Sequence, residues 1–285
     1  MGNFLKNIGI FIIFILIFAL SQLVVGFVVV GVITGGQLND TAFMLTYFFS
    51  MLLCYLLATT LERVTCKSVQ PINNARGGFN PTTILMGVVL LVAMSVVLSP
   101  LGELLPAVQR SFPNGPCTLI TVVVLAPIFE EVIFRGRLYN ILHRRSSPMM
   151  SASMSALAFG IVHFEPMVVV EALLAGVIFS YFYIRKRSII TPIILHMCNN
   201  SLAYALIVLS YGGVPLSELT GDERVMQIAY GVSVVVLIVG MFVVLRGFAL
   251  ERRRERRVEE SEIIYTSSDD ESLAEDELNG NTSDN

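Results

Sequence analysis

Residues 8–33 read IGIFIIFILIFALSQLVVGFVVVGVI and contain no charged side chain. About 20 consecutive apolar residues let a helix cross the roughly 30 Å hydrocarbon core of a bilayer, and this stretch exceeds that length. It is also too long for the apolar core of a signal peptide, and no small-residue cleavage pattern follows it. We therefore expect a retained transmembrane helix, and this stretch sets the class of the protein.

The rest of the chain repeats the same pattern. Hydrophobic residues make up 54% and charged residues 14% of the 285, and the mean hydropathy is +0.73, so the chain is more apolar than soluble domains. Apolar windows occupy residues 8–33, 42–60, 82–98, 118–134, 148–164, 167–184, 189–209 and 225–246. The sequence predicts an all-α, polytopic transmembrane helical bundle of about eight spans, a multi-pass protein of the cell membrane.

The loops between these windows differ in charge. Arg110 and Arg224 are the basic residues of the less charged loops. The more basic loops follow the second, fourth, sixth and eighth windows and hold Arg63, Lys67, Arg76, Arg137, Arg144, Arg145, Arg185, Lys186, Arg187 and the arginines of residues 252–257. Because Lys and Arg accumulate in cytoplasmic loops, both termini are predicted to be cytoplasmic, and Arg137 is interpreted as a marker of the cytoplasmic end of the fourth span.

Adjacent acids interrupt the fourth window, in residues 126–135, which read APIFEEVIFR. Glu131 and Arg135 are four residues apart and share a helix face, so they can form an ion pair. Glu130 points about 100° away from Glu131 and can face a different neighbour. Pro127 has no N–H and disturbs the turn before the acids. Since a charge inside a membrane costs on the order of 3 kcal/mol, the acids indicate a functional cavity.

Two histidine motifs follow in later windows. Residues 159–163 read FGIVH, which places His163 one helical turn after an aromatic ring. Residues 196–200 read HMCNN, which places His196 and Asn200 on one helix face. Imidazole suits proton transfer near neutral pH, and His and Asn both donate hydrogen bonds. The alternative is that these side chains are interhelical polar contacts that hold the bundle together.

Together these groups meet the requirements for hydrolysing an amide bond inside a membrane. Glu130 supplies a general base, His163 an imidazole, and His196 with Asn200 the donors that stabilise an oxyanion. The sequence contains neither HExxH nor GxSxG, so ordinary zincin and serine-hydrolase sites are disfavoured.

The three motifs also occur as a set in a known family. EEVIFR at 130–135 fits EExxxR, FGIVH fits FxxxH and HMCNN fits HxxxN, in that order, within residues 118–209. On these motifs the chain resembles the CAAX-protease and bacteriocin-processing (CPBP, or Abi) family of intramembrane proteases. The resemblance implies an intramembrane endopeptidase that hydrolyses a peptide bond with a water activated by Glu130.

The resemblance also implies roles for the other motif residues. His163 would assist in binding or deprotonating the water, and His196 with Asn200 would form the oxyanion site. Glu131 and Arg135 would form the supporting ion pair. The expected partners are the lipid bilayer and a membrane protein or peptide substrate, and no nucleic acid partner is expected.

Members of the family have been described both as metal-dependent and as glutamate-based. A zinc site needs three protein ligands and a water, and this sequence has no tight ligand spacing. We therefore expect no cofactor. The alternative is a zinc ion held by Glu130 and two histidines.

The motifs and the charge pattern divide the chain into four parts. Residues 1–116 hold the first three spans, 117–210 the catalytic core of spans four to seven, 211–248 the last span, and 249–285 a charged tail. The tail contains 12 of the 22 acidic residues. Because it has little apolar material to bury, we expect a disordered cytoplasmic tail.

Straight spans would separate the motifs in depth. Glu130 and His196 would lie in the cytoplasmic half of the membrane and His163 towards the outer face. We therefore expect the fourth helix to continue past Arg135, with that arginine inside the protein, and kinks or tilts at prolines to bring the motifs together.

Two other functions fit the same residues. One is a non-catalytic bacteriocin-immunity or scaffold membrane protein that keeps the fold and binds a partner. The other is a proton-coupled transporter in which buried Glu and His form a relay.

Overall fold

The computed structural model describes residues 2–74, 79–105, 113–209 and 221–280, with side chains described as far as residue 261 except Glu103 and Glu259. Arg76 and Arg110, two of the loop arginines above, lie outside these residues. The described chain forms eight helices and one isolated β-bridge between Asn74 and Ser188, which confirms the all-α fold. The helices are α1 Gly2–Ile33, α2 Asp40–Cys66, α3 Pro81–Leu104, α4 Pro116–His143, α5 Pro148–Ile161, α6 Pro166–Lys186, α7 Ile190–Val208 and α8 Glu223–Gly280.

Seven of these helices are long and apolar enough to cross a membrane, one fewer than predicted. The exception is α5, whose 14 residues extend about 21 Å, short of a hydrocarbon core of about 30 Å. A turn at Phe164, with a left-handed φ of 61°, interrupts the predicted window 148–164. Pro166 then begins α6, because proline suits the first helical position. The chain is a multi-pass membrane protein in which α5 is an additional buried helix.

The basic loops meet at one end of the bundle, which we call the basic end. Arg145, after α4, donates to the carbonyl of Thr65 in the last turn of α2 (2.7 Å), and Arg187, after α6, pairs with Glu251 of α8 (2.7 Å). Asn7, near the start of α1, donates to a serine hydroxyl in the loop after α4 (2.7 Å). The start of α1 and residue 251 of α8 therefore lie at the same end. Which side of the membrane this end faces stays a prediction.

At the opposite end of the bundle, one carboxylate joins two helices. Asp40, the first residue of α2, accepts hydrogen bonds from the backbone N–H groups of Cys117 (2.9 Å) and Thr118 (2.7 Å). It therefore caps α4 from another helix, because the first N–H groups of a helix have no partner within it. Gly115 leaves room for this contact, since a Cβ there would clash with Asp40. The cap fixes the position of α4 along α2.

A buried ion pair holds α2 against α4 nearer the basic end. Arg137 Nη1 lies 3.0 Å from Glu62 Oε2, and these side chains are 7% and 0% exposed. Arg137 also donates to the Gln70 carbonyl (2.9 Å) and to the Tyr55 hydroxyl (3.0 Å). The interpretation of Arg137 as a topology marker is therefore wrong. Since α4 continues as far as His143, Arg137 lies within the helix and faces α2.

α5 and α6 pack as a tight hairpin because small residues line their contact. A Cβ added to Gly176 of α6 would lie 2.9 Å from the Cβ of Ala156, and one added to Gly160 of α5 would lie 2.8 Å from the Val169 carbonyl oxygen. Close backbone approach of this kind gives membrane helices van der Waals contact that side-chain hydrophobicity alone does not supply.

The last helix, α8, packs through glycines and then runs past the bundle. A Cβ at Gly240 would clash with Leu90 of α3, and one at Gly247 would clash with Tyr181 of α6. The helix continues to Gly280, whereas the sequence predicts a disordered tail from residue 249. Residues 249–261 are mostly Ala, Leu, Glu and Arg, which favour helix and account for the continuation.

Replacing Arg137 by Met should destabilise the fold by about 3 kcal/mol, because the buried Glu62 carboxylate then keeps the Gln70 N–H but has only the more exposed Arg144, at 3.7 Å, as a charged partner among the described residues. In the double variant Arg137→Met/Glu62→Gln the loss should be smaller, since the neutral amide oxygen still accepts the Gln70 N–H. Reversible unfolding in mixed micelles measures both variants. A double variant as unstable as the single one would contradict a charge-based role for the pair.

Candidate active site

Glu131 is the centre of a buried charged cluster between α4 and α7. Its Oε1 lies 2.9 Å from Nη1 of Arg135, one turn later, and 3.0 Å from Nδ1 of His196 on α7. Glu131 and Arg135 are completely buried, and the His196 side chain is 5% exposed. The predicted pairing of Glu131 with Arg135 is confirmed. So is the prediction that α4 continues past Arg135 with this arginine inside the protein.

The Arg135 guanidinium is held on several sides. Its Nη2 donates to the Gly176 carbonyl of α6 (3.1 Å), and its central carbon lies 4.5 Å from the ring centroid of Phe159 and 5.4 Å from that of Phe179. Because cation–π contacts and hydrogen bonds add to the ion pair, they offset the cost of removing both charges from water. Gly176 also leaves room for the guanidinium, since its added Cβ would lie 3.1 Å from Nη2.

Two aromatic rings fix the His196 imidazole. It stacks on Phe179, with ring centroids 5.0 Å apart, and meets Phe159 edge-on at 5.6 Å. An ionised carboxylate only accepts hydrogen bonds, so Nδ1 carries the hydrogen that it donates to Glu131. Nε2 then faces Oε2 of Glu130 at 3.7 Å. This nitrogen donates a hydrogen bond only when the ring carries both protons.

Of the two adjacent acids, Glu130 is more accessible than Glu131. Its side chain is 12% exposed, whereas that of Glu131 is 0% exposed. Glu130 Oε1 accepts a hydrogen bond of 2.7 Å from the Tyr47 hydroxyl of α2. One carboxylate is therefore an internal anchor and its neighbour remains reachable, in agreement with the 100° between consecutive helical residues.

Tyr47 is a site residue that the sequence motifs do not indicate. It lies 83 positions before Glu130, in an apolar window where a tyrosine is unremarkable. Tyr55, two turns later in α2, contacts α4 in the same manner through Arg137. The only sequence signal for a role of Tyr47 is that a second tyrosine follows on the same side of α2. This signal becomes informative only once α2 and α4 are known to pack together.

His163 lies across one aromatic ring from His196. The centroid of the His163 ring is 5.0 Å from that of Phe159, and the Phe159 centroid is 5.6 Å from that of His196. His163 Nδ1 lies 2.7 Å from the Phe159 carbonyl oxygen, to which it donates. In the neutral ring Nε2 is therefore the accepting nitrogen.

The expected difference in depth is absent because α4 ends later than its apolar window. Glu130 lies 13 residues before His143, about 20 Å from the basic end of α4. His163 lies 15 residues after Pro148, about 22 Å from the start of α5 at the same end. Helix length is enough to bring these two residues to one depth, and the tilts or kinks at prolines stay a prediction.

Asn200 binds the backbone of α4. Its Nδ2 donates to the Val122 carbonyl at 3.0 Å. Thr121–Leu125 is a π-helical turn in which the Ala126 N–H donates to Thr121, and Pro127 has no N–H to offer to Val122. Asn200 therefore supplies the hydrogen bond that the proline removes. Its role as an oxyanion donor stays a prediction that would use its second N–H.

Four of the six predicted site residues thus meet by direct contact: Glu130, Glu131, Arg135 and His196. His163 joins them through the Phe159 ring. Asn200 follows His196 by one helical turn and contacts α4 instead.

The described residues show no preformed zinc site, and the zinc alternative stays untested. Tetrahedral zinc takes three or four ligands at about 2.0–2.3 Å. In the part of the chain that the structure describes, no group of three or more His, Cys, Asp or Glu side chains is arranged to hold a metal. The Glu131 carboxylate is occupied by Arg135 and His196, and one nitrogen of His163 is occupied by a backbone carbonyl.

Known proteins match the segment that carries this cluster. Residues 112–202 match the family model described as Type II CAAX prenyl endopeptidase Rce1-like. The chain is 29% identical over 109 residues to the membrane-embedded CAAX protease MroQ of Staphylococcus aureus (strain USA300), which covers 36% of this chain and 43% of that protein. It is 29% identical over 86 residues to the putative membrane peptidase YdiL of Bacillus subtilis (strain 168), with 30% and 35% covered.

An uncharacterized 24.3 kDa protein of Escherichia coli is 30% identical over 126 residues, with 40% of this chain and 58% of that protein covered. No solved structure matches the chain. The chain thus spans 58% or less of the length of each of these relatives. The matched segment contains all six motif residues, and Tyr47 lies outside it. Through this segment the chain is similar to CAAX endopeptidases of the membrane, in agreement with the resemblance that its three motifs indicate.

Proposed function

We propose that the protein is an intramembrane endopeptidase that hydrolyses a peptide bond of a membrane-associated protein or peptide. The observation that carries the proposal is Glu130, a partly accessible carboxylate within a membrane-spanning bundle, held by Tyr47 and facing His196. Ionisable groups at such positions are retained for function because they destabilise a membrane segment. The names of two relatives, a membrane-embedded CAAX protease and a putative membrane peptidase, agree with this function.

In the proposed reaction Glu130 is the general base. Its carboxylate takes a proton from a water, and the resulting hydroxide forms a bond to the carbonyl carbon of the scissile peptide. The π electrons of the carbonyl move to its oxygen, which becomes an oxyanion. When the C–N bond breaks, the proton held by Glu130 passes to the leaving amine. His163 assists in binding the water.

His196 stabilises the oxyanion in this proposal. A doubly protonated imidazole donates from Nε2, and the Glu131 carboxylate on Nδ1 stabilises the charge of that ring. Arg135 in turn balances Glu131 and fixes its position. The ion pair is therefore a positioning element that acts through His196, and Asn200 adds its second N–H.

Replacing Glu130 by Gln should lower the rate of cleavage by about 10²- to 10⁴-fold, because the amide cannot accept a proton from water. The matched control is Glu165→Gln, which removes a carboxylate two residues after His163. Comparative peptidomics of membranes that contain the wild-type or variant protein at equal levels measures the effect.

The same variant separates the competing functions. Cleavage products that are identical in the wild type and Glu130→Gln would favour a non-catalytic immunity or scaffold protein. A proton flux in liposomes that disappears with this substitution would favour a transporter.

Tyr47→Phe should lower kcat by roughly 10-fold or more and leave KM nearly unchanged, because a hydrogen bond to a charged group is worth about 1.5–3 kcal/mol. Tyr55→Phe is the control, since it removes a hydroxyl from the same helix that contacts Arg137 and not Glu130. Equal losses of kcat in both variants, with equal losses of thermal stability, would contradict a role of Tyr47 in orienting Glu130.

The proposed reaction uses no metal, and no group of three or more His, Cys, Asp or Glu side chains is arranged to hold one in the described part of the chain. We expect that prolonged dialysis against EDTA or 1,10-phenanthroline leaves kcat/KM unchanged. Loss of activity that returns on addition of stoichiometric zinc would overturn this part of the proposal.

A further inference from the structure

A cleft of about 510 Å³ lies at the basic end between α5 and α8. It is separate from the Glu130 cluster and shares no residue with it. Along α8 its lining changes from apolar to basic. The side chains that matter are Met150, Leu245, Phe248, Arg252, Arg253 and Arg256. The change occurs where α8 leaves the apolar part of the bundle, at the level expected for lipid headgroups.

Beside the cleft, the acidic and basic side chains of α8 lie on different faces of the helix. Glu251 pairs with Arg187 at 2.7 Å, and Glu255 lies 3.1 Å from His143, so both acids turn towards the ends of α6 and α4. The three arginines of the cleft lie on another face and are exposed. Within the described residues they form no ion pair, so their positive charge is directed into the cleft.

The first turn of α5 adds to this positive potential. Ser147 lines the cleft and caps the helix, its hydroxyl accepting from the Met150 N–H at 3.4 Å. The positive end of the dipole of this 14-residue helix therefore meets the cleft from the opposite wall.

We propose that this cleft binds an anionic phospholipid. The headgroup phosphate lies between the three arginines, whose guanidinium groups match its oxygens, and an acyl chain lies along Leu245 and Phe248. Basic pockets between transmembrane helices at a membrane surface suit such headgroups. A soluble phosphate compound would leave the apolar half of the cleft unused. The bound lipid joins α8 to α5, the helix that carries Phe159 and ends two residues before His163.

Native mass spectrometry of the full-length protein with phosphatidylglycerol and phosphatidylcholine tests the proposal. We expect the wild type to prefer phosphatidylglycerol. The triple variant Arg252→Gln/Arg253→Gln/Arg256→Gln should lose about fivefold in affinity for each arginine, close to a hundredfold in total. The control Arg63→Gln/Arg185→Gln/Arg254→Gln changes the net charge equally outside the cleft. Its affinity for phosphatidylglycerol should fall by less than about tenfold.

A second variant tests the apolar half of the cleft with the charge unchanged. Ala249 lines the cleft, so Ala249→Trp should fill it and displace phosphatidylglycerol while thermal unfolding stays as in the wild type. Equal losses in the two triple variants would overturn the proposal in favour of a general charge effect. Wild-type lipid binding by Ala249→Trp, or displacement of the lipid by millimolar inorganic phosphate, would also overturn it.

Discussion

The candidate site depends on neutralising the Glu131 carboxylate inside the bundle. A buried ion pair repays its desolvation only when its remaining hydrogen-bonding groups also find partners. Here Arg135 donates to the Gly176 carbonyl and packs against two phenylalanine rings, and Glu131 also contacts the His196 imidazole, while Glu131 Oε2 and Arg135 Nε have no hydrogen-bond partner among the described residues. These contacts come from α4, α5, α6 and α7, so none of the four helices can shift without exposing a charge. Glu130 gains a fixed position as the residue next to this anchor.

α4 lacks part of the regular backbone hydrogen bonding of a helix, and neighbouring helices supply the missing hydrogen bonds. α4 contains two π-helical turns, Thr121–Leu125 and Phe134–Tyr139, and such turns are frequent at functional sites. The Val122 carbonyl is completed by Asn200 of α7, and the Phe134 carbonyl by Ser155 of α5 at 2.8 Å. These two helices also supply the site, since α7 carries His196, which faces Glu130, and α5 carries Phe159, whose ring contacts both His196 and His163.

The features that the sequence predicts are those that depend on residues close to one another in the chain. Apolar windows located the spanning helices, and the i, i+4 relation located the Glu131–Arg135 pair. Hydropathy could not separate α5 from a true span, because a buried helix rich in Ala and Ser is as apolar as one facing lipid. For a different reason, the sequence does not indicate the contacts of Arg137 and Tyr47. Their partners are 75 and 83 positions away, and only the packing of α2 against α4 connects them.

The position of the site along the helices also constrains the substrate of the proposed peptidase. Glu130 and His163 lie about 20 Å from the basic end, and Glu130 also lies about 21 Å from the start of α4 at Pro116. A helical substrate keeps its peptide groups hydrogen-bonded at that depth, so the bond to be cut must lie in an unwound segment. From either end of α4 about six extended residues are needed to reach the site. The distance of the scissile bond from the end of the substrate's helix would therefore decide which chains are cut.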